Sequence, residues 1–452
     1  MKQRHKLLYA AGSLGTALSY QAFTTHIQFL YIDVLGLSAA LIGLGWAIYG
    51  IWNAINDPLA GAWSDRTRTR WGRRTPWIAA TAVPVGLFFL LLWIPPESLV
   101  SSGGDALFLY FIVAVLIFDL LWTIVVMNWT TLTPEMFVDE KERASVSGWR
   151  EVFSIAGLIA GVALMPILAG AGWTNRGPVA ALFAAITSAS FLISLLGTRE
   201  RKDIQSQPRV SFVSSLKAAL SSAPFRWFLA ANLSKEFVFS ILAASMPFYA
   251  KYVLGASTEE TGYVLGAAFI AAILGLVLWT RYAKRAGARR AWQVCCLTFS
   301  LSALPFLFVS DLAGGLMTAA VLGLSLAGYL MLPTIVISDV TDADELETRT
   351  RREGMFFGIN GFVIRFAFTL QGLALGFVLT ATGYVRPLTP ADAPAQPPLA
   401  SGGGQPDAAL WGMRALVTLL PIVASAITYW ALARYPLHGE RLAEVKRRLA
   451  AH

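Results

Sequence analysis

Residues 53–77 read NAINDPLAGAWSDRTRTRWGRRTPW: polar residues ending in Asp57-Pro58 interrupt one apolar run, and five arginines follow between positions 66 and 74 before the next begins. Asn53, Asn56 and Asp57 stand at i, i+3 and i+4, so a helix projects them from one face. Pro58 has no N–H to donate, which leaves the carbonyl of Ala54 without its usual partner. A carboxylate, amide oxygens and a freed carbonyl then meet at one level, a set that can hold a proton or a hard cation such as sodium. An ionisable group at membrane depth costs about 2.5–3.5 kcal/mol on insertion scales, so a compensating role is expected of Asp57.

The surrounding chain supports the membrane reading. Of 452 residues, 56% are hydrophobic and 14% charged, against about 25% charged in soluble domains. The net charge of +9 sits in short clusters between apolar runs, as in membrane loops, and does not point to nucleic acid. The opening MKQRHK and the long run behind it read as a retained first helix, because no small-residue cleavage site follows. Twelve segments of the roughly 20 residues needed to span a bilayer can be placed. They cover 8–32, 39–63, 76–95, 106–132, 150–171, 178–197, 226–250, 260–280, 291–310, 315–337, 355–382 and 410–433. Starting from an inside N-terminus, thirty Lys and Arg fall in the tails and alternate loops, against Arg176, Lys251, Arg386 and Arg414 outside; Lys235 and Arg365 lie within spans. Both termini are therefore expected in the cytoplasm, with the chain in the plasma membrane.

The long connection at 198–225 divides the spans six and six, giving an N-terminal half at 1–197 and a C-terminal half at 226–452. The halves echo each other. SDRTRTRWGRR follows the second span and RYAKRAGARR the eighth, while VDEKERASVSGWRE follows the fourth and VTDADELETRTRREG the tenth. The expected fold class is an all-α integral membrane protein of two pseudo-symmetric six-helix halves. Residues 383–409, rich in Pro, Ala and Gly, read as an outside tether.

No GxxxxGK[ST] is present to cradle nucleotide phosphates, His5, His26, His438 and His452 form no ligand cluster, and Cys295-Cys296 are neighbours in an apolar run. An enzyme, a metal centre and a bound cofactor are not expected. Secondary transport of a small molecule by a monomer is. The polar residues inside spans are its candidates. Arg365 lies about eleven residues into its span, with Gln371 beyond it, and should face a cavity or an acid. Lys235 and Glu236 are about 100° apart around one helix, which predicts that they pair with other helices and not with each other. Trp129, with Asn128 beside it, and Tyr20 are aromatic platforms for a sugar ring; Trp122 and Phe368 are further ones. A lone histidine, His26, is expected to be a packed core residue.

Asp57-Pro58, Gly61, Asp65-Arg66 and RTRWGRRTPW, together with TPEMFVDEKERASVSGWRE and ISDVTDADELETRTRREG, resemble the glycoside–pentoside–hexuronide:cation symporters, the melibiose permease group of the major facilitator superfamily. The resemblance spans nearly the whole chain. It implies an alternating-access carrier that couples sugar, glycoside or uronide uptake to sodium, lithium or a proton, with the cation site on the second and fourth helices. Asp57 falls where the family has its second carboxylate of that helix, and Asn53 where it has the first. The family's fourth-helix carboxylate falls near Val126 and its first-helix one near Ala17 or Leu18, so three acids are missing and a proton is expected over sodium. Arg150 and Arg365 match two family cations and are assigned to substrate. An amphipathic anion such as a lysophospholipid, or a non-transporting receptor, is the alternative. The resemblance further implies a cytoplasmic gate, in which Asp65 meets the N-terminal end of the eleventh helix. There Arg66, Arg73 and Arg74 pair with Glu142, Asp342 or Glu345.

Overall fold

A computed structural model describes residues 3–137, 139–200, 220–348, 353–386 and 404–450. Most of the expected connection at 198–225 and of the tether at 383–409 lies outside these residues. Helices make up nearly all of the described chain, and no strand occurs in it beyond an isolated bridge between Thr69 and Gly72.

The chain divides into two compact units. The first comprises Met1–Gln207 with Ala256–Tyr263 and Tyr384–Gln405, and the second Pro208–Gly255, Val264–Gly383 and Pro406–His452. Two short segments of the second half are thus counted with the first unit, which the expected division at 198–225 does not contain. The first unit holds α1 (Gln3–Ala10), α2 (Gly12–Phe29), α3 (Ala39–Arg66), α4 (Thr75–Trp93), α5 (Glu97–Ser102), α6 (Gly104–Met136), α7 (Glu140–Ile159), α8 (Met165–Ala169) and α9 (Arg176–Gly197). Two π-helical turns interrupt it, Leu30–Val34 after α2 and Ala160–Leu164 after α7. In the second unit follow α10 (Ala223–Tyr252), most of α11 (Thr258–Ala286), α12 (Ala288–Ala303), α13 (Leu312–Thr348), α14 (Glu353–Ala381), α15 (Asp407–Val417), α16 (Leu419–Ala433) and α17 (Glu440–Ala450).

Local chemistry sets several starts. Ser38 Oγ accepts the N–H of Leu41 at the head of α3, and Asp139 Oδ2 that of Glu142 at the head of α7, satisfying donors that a helix start leaves open. Among the described residues nine helices are long and apolar enough to cross a membrane. The three other expected spans are helical too. Residues 8–32 form α2 and the end of α1, 39–63 form α3 with its polar triplet, and 291–310 form α12, 16 residues extended by the 3-10 turn Leu304–Leu307.

Helices within each unit close on small residues, since in hydrocarbon association depends on contact and not on expulsion of water. A Cβ at Gly157 would stand 2.5 Å from the carbonyl oxygen of Leu14 and 2.9 Å from the nitrogen of Leu18, so α7 can lie against α2 only with glycine there. Gly323 of α13 does the same against the backbone of Ala268 on α11. Cys295 and Cys296, both buried, offer a thiol-reactive reporter of unfolding. Gly157→Val is expected to lower the melting temperature read by that dye, at a cost of about 1–3 kcal/mol. Gly358→Ala, whose Cβ meets nothing within 4 Å, should melt at or slightly above the wild-type temperature, and equal melting of both variants would refute the close-approach account.

Candidate functional site

Tyr49, Asn53, Asn56, Ala60 and Ser64 recur at helical spacing along α3 and are all buried, which defines the face it turns to α6. Asp57, one position on from Asn56, is displaced about 100° to the edge of that face and is half-buried, its Oδ1 shut off from solvent. What the buried face meets is Asp119. This carboxylate, near the middle of α6 and 1% exposed, accepts the hydroxyl of Tyr49 on Oδ1 at 2.9 Å and the amide of Asn56 on Oδ2. Asn53 donates back to the carbonyl of Tyr49 at 3.0 Å, and Asn56 Oδ1 is a buried acceptor with no hydrogen-bond partner. Asp119 is missing from the sequence candidates, although a lone acid in an apolar run carries the same insertion cost that singled out Asp57. The fourth helix does hold an acid, therefore, seven residues and about two turns before Val126, where the family resemblance sought it.

Further along α6 two expected binding residues turn out to be packing. Ser64 donates to Asn128 Oδ1 while Asn128 Nδ2 donates to the carbonyl of Ile124, so the amide is used between α3 and α6. Trp129 is 1% exposed; it stacks on Tyr9 at 5.4 Å and donates Nε1–H to the carbonyl of Tyr9 at 3.2 Å. The guanidinium of Arg150 lies 4.4 Å above the same ring and donates to Thr133 Oγ1 at 2.9 Å. Covered on several sides, Trp129 has no face for a sugar, and Arg150 clamps α7 to α6. Those assignments are corrected on this geometry. Tyr20 on α2 and Trp122 on α6 are instead only half-buried, stacked with ring centroids 4.5 Å apart. His26 is fully buried with Nε2 at 2.9 Å from the carbonyl of Val162 in the second π turn.

In the second unit Lys235 Nζ and Glu236 Oε1 are 2.7 Å apart, which overturns the expectation that they do not pair. Their Cα–Cβ bonds do diverge, but the long lysine stem wraps around the helix, and burial of both groups rewards the contact. Asn232 of α10 donates to Asn360 Oδ1 of α14 at 2.7 Å. Arg365 is half-buried near the middle of α14, and Gln371 beyond it is fully buried.

The basic loop between α3 and α4 finds partners the sequence reading does not name. Arg73 and Arg74 pair with Glu135, at 2.9 and 3.1 Å, and not with Glu142, which lies 3.5 Å from Lys6. Glu200 accepts the N–H groups of Arg73, Arg74 and Thr75 and the Thr75 hydroxyl, all within 2.7–3.1 Å, so a carboxylate sits on the positive N-terminal end of α4. At the corresponding place in the second unit Asp339 pairs with Lys446 of α17 at 3.0 Å. Asp65 and Arg66 are exposed, Asp342 and Glu345 half-buried near the end of α13.

A family model described as MFS/sugar transport protein matches residues 8–439. An isoprimeverose transporter of Lactiplantibacillus pentosus is 27% identical, over 83% of this chain and 80% of its own. The inner membrane symporter YicJ of Escherichia coli (strain K12) is 24% identical over 98% and 96%, and the sodium-dependent lysophosphatidylcholine symporter 1 of Mus musculus 24% over 99% and 88%. The crystal structure of the nucleoside transporter NupG superposes with a TM-score of 0.66 at 12% identity, covering 96% of this chain and 99% of that one. The likeness runs through both units, and the shared fold is that of major facilitator transporters, all-α and membrane-embedded.

Trp129→Phe should lower the melting temperature by the equivalent of about 1–2 kcal/mol, since it removes an indole hydrogen bond and leaves a void. Trp122→Phe should stay within about 0.5 kcal/mol of wild type. Thermal unfolding of the two purified variants checks the division between packing and accessible aromatic, and the reverse order would undo it.

Proposed function

Since the chain belongs to the family of MFS/sugar transport proteins, a multi-pass membrane transporter and not an enzyme, we propose that it takes up a sugar, glycoside or uronide by proton-coupled symport. Symport is the activity that YicJ bears in its name, and sodium-dependent symport the one that the Mus musculus relative bears in its own. The observation that carries the finer reading is the pair of intramembrane acids on neighbouring helices, Asp57 on α3 and Asp119 on α6. Both oxygens of Asp119 already accept hydrogen bonds, which leaves less of it for a metal, so its role is to hold Asn56 and Tyr49 in place. Asp57 at the edge of that face is the group we assign to bind and release the proton, one carboxylate sufficing for a proton where sodium wants several oxygens. Sodium is the second reading, favoured by the unfilled buried acceptor Asn56 Oδ1.

For substrate we assign the Tyr20–Trp122 pair, whose ring faces suit the apolar side of a pyranose, and separately the half-buried Arg365, whose donors suit hydroxyls or a carboxylate; Gln371, as buried as Trp129, falls to packing. Glu236, engaged by Lys235, supports α10. Asp65, Arg66, Asp342 and Glu345 are kept for gating, as the family resemblance implies. With thirty basic residues on one side and four on the other, we place both termini in the cytoplasm. A carrier must pass between states of similar energy, and ion binding that differs between them drives the cycle.

In proteoliposomes carrying an imposed pH gradient, the wild type is expected to accumulate substrate and Asp57→Asn to equilibrate it only, while substrate exchange persists. Asp119→Asn should lose accumulation and also melt lower. Accumulation by Asp57→Asn equal to wild type would reject Asp57 as the coupling residue, and uptake driven by a sodium gradient at constant pH would select the second reading. A binding panel of neutral glycosides, uronides and lysophosphatidylcholine names the substrate class, with the last as the amphipathic alternative. Arg365→Lys should weaken binding of the preferred sugar by about tenfold or more, because a charged hydrogen bond is worth about 1.5–3 kcal/mol. Unchanged affinity in both Arg365→Lys and Arg365→Ala would make the residue structural.

A further inference from the structure

A groove of about 740 Å³ runs along the second unit between α11, α12 and α13, walled among others by Leu278, Trp279, Leu301, Met317 and Val321. Leu301 and Met317 are 67% and 71% exposed, so in a membrane-spanning chain this face meets hydrocarbon and not water. The wall includes polar side chains, yet the hydrogen bonds they donate stay inside the protein. Trp279 Nε1 donates to the carbonyl of Leu324 at 2.8 Å, Thr298 to that of Cys295 at 3.1 Å, Ser302 to that of Phe299 at 2.9 Å, and Ser325 Oγ to Thr298 Oγ1 at 3.1 Å. Beyond the hydroxyls of Tyr282 and Thr318, which also line it, the groove offers an occupant CH groups and ring faces.

Past Leu301 and Pro305, which line both, the groove leads into a second hollow of about 640 Å³ where α12 has ended and the chain turns into α13. Its character differs. Phe308, Val309, Ser310 and Asp311 line it, and Asp311 is exposed, with Oδ1 accepting the N–H of Gly314 at 2.9 Å. Arg414 donates to Ser310 Oγ at 2.8 Å and to the carbonyls of Leu307 and Val309 at 2.7 and 2.9 Å, so a fixed positive charge is tied to the wall that Ser310 and Val309 form. An apolar channel that ends at an exposed carboxylate, with a cation bonded to the wall around it, matches a lipid with a zwitterionic headgroup.

We propose that the groove is a binding site for a bilayer phospholipid of the ethanolamine type, its acyl chain along Trp279 and Val321, its phosphate toward Arg414 and its ammonium toward Asp311. The primary ammonium brings three donors to an exposed carboxylate, whereas an anionic glycerol headgroup brings repulsion. The site is separate from the acids and aromatics assigned to transport, so it stands or falls independently of the coupling reading.

Native mass spectrometry of the full chain in detergent, titrated with phosphatidylethanolamine or phosphatidylglycerol, tests it. One ethanolamine lipid should be retained about tenfold more strongly than the glycerol lipid. Val321→Trp, a substitution at an exposed wall position that fills the groove, should reduce retention by a similar factor without lowering the melting temperature. Met317→Trp serves the same purpose from α13 should the first variant fold poorly. Asp311→Asn should abolish the preference for ethanolamine and keep an adduct. Equal retention by the wild type and a folded groove-filled variant, or no headgroup preference in the wild type, would overturn the proposal. So would displacement of the lipid by a transported sugar, since the groove would then belong to the transport path.

Discussion

A polar side chain between membrane helices has no water to fall back on, so its partner must come from the protein, and that requirement organises both units. Asp119 is met by Tyr49 and Asn56, Asn128 by Ser64, Asn232 by Asn360, and Lys235 by Glu236. Three of these four contacts join two helices and so fix which faces meet. Packing on Gly157 and Gly323 supplies the closeness, and the polar pairs supply the register.

At the helix ends the same charges serve differently. Glu135 holds two arginines of the α3–α4 loop and Glu200 caps α4, while in the second unit Asp339 holds Lys446. Partly exposed pairs are individually weak, so their value lies in number and geometry. Glu200 is the exception in kind: one carboxylate collects three backbone N–H groups, a geometry with the directional strength of an anion site.

Much of this was legible in the sequence, and the reasons differ by residue. Helix number and place follow from run length and hydropathy, which need no knowledge of neighbours. That Asn53 and Asn56 share a face follows from their spacing, while Asp57, read onto the same face, stands at its edge. Partners do not follow, because a helix pattern says which side a residue points to and not what stands there. Asp119 carries the insertion cost of any acid in an apolar run, but the resemblance points to Val126, seven residues on. Trp129 looks like a ligand because a ring beside Asn128 suits a sugar, and Arg150 because it matches a family cation; neither pattern says whether the ring is already covered. Lys235 and Glu236 were misjudged by treating side chains as short spokes, when four methylenes let a lysine reach around its helix.

The two π turns have a consequence for how such a chain can change over generations. Each holds one residue more than an α-helix needs over that stretch; the first closes α2 before the loop at 35–38, and the second lies between α7 and α8. Loss of a single codon in the second turn would restore a regular helix and swing α8 by about 100° relative to α7, while His26 would lose its register with the carbonyl of Val162. Loops absorb length changes readily, but here the reading frame of the helix is part of the fold. A deletion at the second turn would be purged by selection, whereas the loop at 35–38 can take up one at the first.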